Sequence, residues 1–184
     1  MMGVLDETTP EVGGGILYTV VSGLIIRDEE EARTELSHIV SGRQRGFHWM
    51  TEGPVARSAM VSCLTAIDVV GSAVVAECGR RGQEAARERA LRASVEELLG
   101  SGCSRLIIES RSSRQDDRDR GVILDLLRGM PDTVALKYEW QSKEEPLLWV
   151  PDAIGGVVRE YLLGEPSPWF DKIQAATGLA LTYL

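Results

Sequence analysis

An acid at the end of an apolar run most limits how this chain folds, and it occurs three times. Asp6 stands in Val-Leu-Asp-Glu-Thr and Glu109 in Leu-Ile-Ile-Glu-Ser, while Asp152 stands in Pro-Leu-Leu-Trp-Val-Pro-Asp-Ala-Ile-Gly-Gly. The first two read as strands that reach an acid, and the third as an acid opening a tightly packed helix. Carboxylates are rarely buried unless they are paired or bind a metal. Acids far apart in sequence, each at the end of a buried element, can converge in space. Such convergence is what metal-assisted phosphoryl chemistry requires, with several carboxylates around divalent cations.

The rest of the chain bounds the class. Its 184 residues suit one domain, 1–184, with a real core, and 43% hydrophobic content is ordinary for a globular protein. No apolar run reaches the roughly 18 residues that span a bilayer. The nearest, Val55 to Cys78, is interrupted by Arg57, Asp68 and Gly71 and reads as core. The first residues lack the basic and apolar regions of a secretory signal. Cys63, Cys78 and Cys103 are widely spaced in apolar surroundings. They read as buried free thiols of a reducing compartment, so the expected location is cytoplasmic, without a membrane. A net charge of −8 weighs against a broad basic footprint for nucleic acid. It leaves a nuclease open, because bound cations and local arginines offset acids at a site.

Periodicity orders the elements. Val4 to Thr8 reads as a strand, Gly13-Gly14-Gly15 as a reversal, and Ile16 to Ile26 as the returning strand of a hairpin. Asp28 caps a helix with its apolar stripe on Leu36, Ile39 and Val40, ended by Ser41-Gly42. Pro54 opens a short buried helix to Ala66, and Gly71 to Glu77 is a strand. Gln83 to Leu99 is an amphipathic helix, Arg105 to Ser110 a strand, Asp116 to Leu127 a helix, Thr133 to Trp140 a strand and Asp152 to Leu163 the final helix. This alternation implies a partly parallel sheet covered on both faces.

A hairpin opening with an acid, followed by a βαβαβα run that closes on a helix with an early Asp, resembles the ribonuclease-H-like fold. Within it the chain resembles the domain of unknown function 3800 family. The matching segments are Asp6-Glu7-Thr8, Leu17-Tyr18-Thr19-Val20-Val21-Ser22-Gly23-Leu24-Ile25-Ile26, and Val150-Pro151-Asp152-Ala153-Ile154-Gly155-Gly156-Val157-Val158. Arg159-Glu160-Tyr161 and Gly164 suit the family's helix exit. Thr8-Thr9 stands where Ser-Gly is expected, and Glu109 where members commonly carry Asp. The resemblance implies an α/β fold with a ribonuclease-H-like mixed sheet flanked by helices, and likeness to metal-dependent nucleases.

The expected site is therefore Asp6, Glu109 and Asp152 around Mg²⁺ or Mn²⁺, with phosphodiester hydrolysis as the reaction and nucleic acid as the partner. Each acid also has a plainer role. Asp152 could be a helix cap, Glu109 a strand-end acid paired to Arg111, Arg114 or Arg118, and Asp6 or Glu7 a solvated residue on an edge strand. If the strand is central, one of Asp6 and Glu7 faces inward. Asp6 is the expected ligand, with Glu7 its hydrogen-bonding neighbour. His48 and Glu52 lie in the aromatic segment Phe47-His48-Trp49, where either could act as general base or further ligand. His38 reads as solvated. The run Arg111 to Arg120 could steer phosphates, but reads first as a solvated mixed-charge loop and helix start. There is no Walker loop, Gly-x-Gly-x-x-Gly or Gly-x-Ser-x-Gly. The rival function is a non-catalytic domain of this fold acting through protein contacts. A small-molecule-binding domain would need an apolar pocket.

Overall fold

The computed structural model describes residues 1–40, 46–131 and 133–184. The N-terminal strand β1 (Met2–Thr8) is followed by β2 (Glu11–Val12) and β3 (Gly15–Ile25). Gly13 and Gly14 make the turn between β2 and β3, with φ of +60° and +85°. Those are left-handed values that glycine takes without steric cost and that suit the twist of a tight hairpin. Helices α1 (Glu29–Ile39) and α2 (Pro54–Ala66) precede β4 (Val69–Cys78). Then come α3 (Gln83–Gly100), β5 (Arg105–Glu109), α4 (Ser113–Arg128), β6 (Lys137–Gln141) and α5 (Trp149–Leu162). Asp28 caps α1 through the amides of Glu30 and Glu31. The expected stop at Ser41-Gly42 lies outside the described residues.

Two corrections concern the C-terminal part. The helix bearing Asp152 starts at Trp149, after a single 3-10 turn at Pro146–Leu148, so Asp152 sits within its first turn and is not its cap. Nor is it the final element: α6 (Trp169–Thr177) and β7 (Ala180–Tyr183) follow. The 3-10 turn explains the first. Leu147 and Leu148 are buried before the helix begins, so their apolar signal merges with that of α5. The strand before α5 is also shorter than expected, beginning at Lys137 rather than Thr133.

The strands form one sheet in the order β6-β5-β1-β3-β4-β7, with β2 added beside β3. β3 runs antiparallel to both β1 and β4, whereas β1–β5, β5–β6 and β4–β7 are parallel. β1 is thus central, not a detached edge. Residues along it alternate between two cores, as a period of two requires. Met2 and Val4 join the core under α1, α2, α5 and α6, while Leu5 joins the core under α3 and α4.

Trp49, fully buried, lies against α5 at Gly156. A Cβ on Gly156 would fall 2.1 Å from the indole Cδ1, whereas one on Gly155 would meet only Val21 at 3.6 Å. Gly156→Ala therefore forces a rigid ring to move, with an expected loss of about 2–3 kcal/mol. Gly155→Ala is expected to be neutral or to gain up to about 1 kcal/mol from helix propensity. Urea denaturation of both variants checks this, and equal effects would contradict it.

Candidate carboxylate site

The parallel ladder between β1 and β5 ends at Leu5 opposite Ile108, so the next residues are Asp6 and Glu109. Val4 and Ile107 belong to the core under α5. By alternation, Asp6 and Glu109 rise on that same face. Asp152, in the first turn of α5, belongs to the helix packed across β1 and β3. Only 11% of the Glu109 side chain and 13% of the Asp152 side chain are exposed. Burial pushes the Asp6 pKa well above its usual value, and the charge of Glu109 and hydrogen bonding between the two carboxyls push it further. Lys143 opposes the rise, and the Asp152 charge adds to it. The three acids named from the sequence thus share one electrostatic neighbourhood. As they stand, no three His, Cys, Asp or Glu side chains among the described residues lie close enough together to hold one metal ion.

His48 joins this neighbourhood through Asp152. Its Nδ1 lies 2.8 Å from Asp152 Oδ1, and the Trp49 amide donates to Asp152 Oδ2 at 2.7 Å. These contacts depend on the seating of Trp49. Arg57 donates to its carbonyl, and its indole N–H donates to Glu160 Oε1 at 3.3 Å. Glu160 is itself held by Arg57 and Ser167. Asp6, Thr8, His48, Lys143, Asp152 and Arg159 line one open cleft. Glu52 is buried before α2 and does not line it. His38 is exposed on α1.

Lys143 was not singled out by sequence. Its Nζ lies 3.0 Å from Glu109 Oε1, where the plainer reading of Glu109 offers Arg111, Arg114 or Arg118 as the partner. The physical reason is facing. Arg111 lies on the other side of the sheet, and Arg118 pairs with Glu84 at 3.1 Å.

That other side carries a second cluster. Glu7 points away from Asp6, and both are partly enclosed, because a central strand with helices on both faces has no solvated side. Glu7 accepts from the Tyr18 hydroxyl at 2.5 Å and pairs with Arg87 and Arg111. Arg87 also forks onto Asp119, at 3.0 Å and 2.6 Å. Burial lowers the Arg87 pKa, while its bonds to Asp119 raise it. The stretch from Arg111 to Arg120 is therefore only partly a solvated loop, since Arg111 is 16% exposed and Asp116 and Asp119 are buried. A signal for this existed. Asp116, Asp119, Ile123 and Leu126 share one helical stripe in α4, and Arg87, Leu91, Ser94 and Leu98 share one in α3. Glu7 and Asp119 balance Arg87 and Arg111 here, while Asp116 accepts from the Ser110 hydroxyl and the Arg111 amide.

Comparison with solved structures finds the RNase HII of the Archaeoglobus fulgidus PCNA:RNase HII complex. The match has a TM-score of 0.52 and 13% identity, and covers 89% of this chain and 74% of that one. No family model matches the chain, and no curated protein does. The chain has the ribonuclease-H-like α/β fold, with helices flanking a mixed sheet.

A carboxyl with a raised pKa in the folded state binds more protons there than in the unfolded chain. The stability it contributes is complete below its ordinary value of 3.8 and is lost as pH rises through the raised folded value. In chelated buffer, Asp6→Asn is therefore expected to melt above wild type at neutral pH, with the gap closing as pH falls below 3.8. Melts across that pH range check this. A gap independent of pH would show that Asp6 ionises in the fold as it does in water.

Proposed function

We propose that the chain, acting as one domain over 1–184, is a divalent-metal-dependent phosphodiester hydrolase of the nuclease type. The supporting observation is an excess of negative charge at the ends of β1 and β5, where Asp6, Glu109 and Asp152 face the single ammonium of Lys143. The donor set fits a hard cation, because all three groups offer carboxylate oxygens, and burial beside Glu109 disfavours the charged form of the Asp6 carboxyl in the cation's absence. Asp6 and Glu109 would hold Mg²⁺ or Mn²⁺, with Asp152 as the third acid. Bound there, the cation would supply Lewis-acid activation of water and charge neutralisation at the phosphate.

The chain's own groups take the remaining roles. Asp152 fixes the His48 ring through Nδ1, leaving Nε2 as the nitrogen that takes up a proton. Arg159, seven residues along α5 from Asp152 and lining the same cleft, is the group for a substrate phosphate. It takes the part that the sequence suggested for the run after Glu109, whose Arg111 is occupied on the opposite face. Glu52 contributes by buttressing the turn that carries His48, its amide donating to the Trp49 carbonyl at 3.1 Å. The partner is nucleic acid, met at the cleft and not across a basic face. Membership of the domain of unknown function 3800 family is part of this proposal, supported by the Asp6-Glu7 strand and the Asp152 helix. A reducing, cytoplasmic setting is supported by Cys63, Cys78 and Cys103, all of them free thiols. No helix among the described residues is long and apolar enough to cross a membrane.

One observation favours the rival, a non-catalytic domain working through protein contacts: Lys143 already pairs with Glu109. Activity separates the two. With Mn²⁺, the purified protein is expected to cleave single- or double-stranded DNA or RNA. Asp6→Asn and Asp152→Asn should each lower the rate by about a hundredfold or more, the equivalent of several kcal/mol. Mn²⁺ should also raise the melting temperature of wild type more than that of Asp152→Asn. No cleavage of any substrate together with no metal-induced shift would overturn the hydrolase and favour the rival.

A further inference from the structure

The loop joining β6 to the 3-10 turn is fixed at both ends. The Trp149 indole N–H donates to the Lys143 carbonyl at 3.0 Å. Two residues on, Glu145 accepts from the Leu147 amide at 3.3 Å and from Arg33 Nε at 2.9 Å. The Lys143 backbone is thus held by the Trp149 side chain of α5, and the loop that carries it is tied through Glu145 to Arg33 of α1. The side chain itself is 64% exposed. It reaches in from solvent to place its ammonium 3.0 Å from Glu109, within the attraction of Asp6 and Asp152 as well.

An ammonium is a hydrated point charge on a flexible stem, and it meets a carboxylate much as a small cation does. The Glu109 oxygen that it occupies is one that a divalent cation would use, and two positive charges cannot share it without strong repulsion. Resting on the metal-dependent reading above, we infer that Lys143 is the resident cation of the carboxylate cluster, and that a divalent metal enters only by displacing it. The anchored loop then sets the metal affinity of the site. Displacement needs no refolding, because the side chain is already 64% exposed while the backbone stays pinned to Trp149.

The test is Mn²⁺ titration by calorimetry and by thermal shift, on the full chain, for wild type, Lys143→Met, Lys143→Gln and Lys137→Met. Lys137 is exposed at the opposite end of β6, so its variant controls for the change in net charge. The expected result is Mn²⁺ binding about tenfold tighter in both Lys143 variants, with Lys137→Met equal to wild type. Wild type that binds Mn²⁺, with Lys143 variants that bind it no more tightly, would overturn the competition and leave the metal-dependent reading standing. Binding by the Lys143 variants but not by wild type would support Lys143 as the resident cation and remove the metal from the native function. Absence of binding in every variant would overturn both.

Discussion

Two carboxyls brought side by side at the ends of neighbouring parallel strands are the constraint that the rest of this cleft answers. Asp6 and Glu109 are placed there by backbone pairing, Leu5 to Ile108, and not by any attraction between them. Like charges in such a setting resist joint ionisation, and burial deepens the resistance. The fold offsets part of this with the Lys143 ammonium and leaves Asp6 with a raised pKa for the remainder. A site whose strain is electrostatic is one that a cation relieves. The same strain argues against a purely structural role, for which neutral side chains at both positions would cost less.

Asp152 is held differently. Both its oxygens already accept contacts, from His48 and from the Trp49 amide. That arrangement exists because Gly156 leaves room for the Trp49 ring against α5, and because Arg57 and Glu160 grip the ring and its carbonyl. A glycine in the middle of a helix is costly in propensity. Here it sets the height of Trp49, and through it the position of the adjacent His48, whose partner Asp152 lies four residues before that glycine on α5. The link from backbone to chemistry is a missing Cβ.

Much of this was legible in the sequence. The hairpin, the order of strands and helices, and the three acids all follow from periodicity and from where an apolar run stops. Parallel strands aim their C-terminal ends at one edge, which is why Asp6 and Glu109 meet. What was hidden had physical reasons. Lys143 lies two residues past the end of β6, on a loop with no periodic signal, and only the sheet order shows that this loop overhangs the end of β5. The 3-10 turn before α5 blended into the helix and shifted its start. Arg87, Asp116 and Asp119 sit on apolar stripes of α3 and α4. A charge on such a stripe is usually weighed alone, whereas Arg87 and Asp119 compensate one another across elements that sequence order does not join, and Asp116 is satisfied by the Ser110 hydroxyl and the Arg111 amide.

The two faces of β1 then make a controlled comparison within one molecule. Glu7 and Asp6 are adjacent, share one strand, and are both partly enclosed. On the Glu7 side, Glu7 and Asp119 meet Arg87 and Arg111, and the Tyr18 hydroxyl occupies a further lone pair. That network is neutral, and removing Arg87, which pairs with both acids, would leave the two acids facing Arg111 alone at a cost of about 3–5 kcal/mol. On the Asp6 side, three acids meet one lysine that is mostly in solvent, and Arg159 lines the same cleft. Burial and backbone placement are alike on both sides, so neither accounts for the difference. What differs is the arginine supplied by α3 and the loop before α4 on one side, against an open cleft at the start of α5 on the other. The fold neutralises its buried acids on the face closed by α3 and α4, and leaves them in excess on the face where the cleft opens.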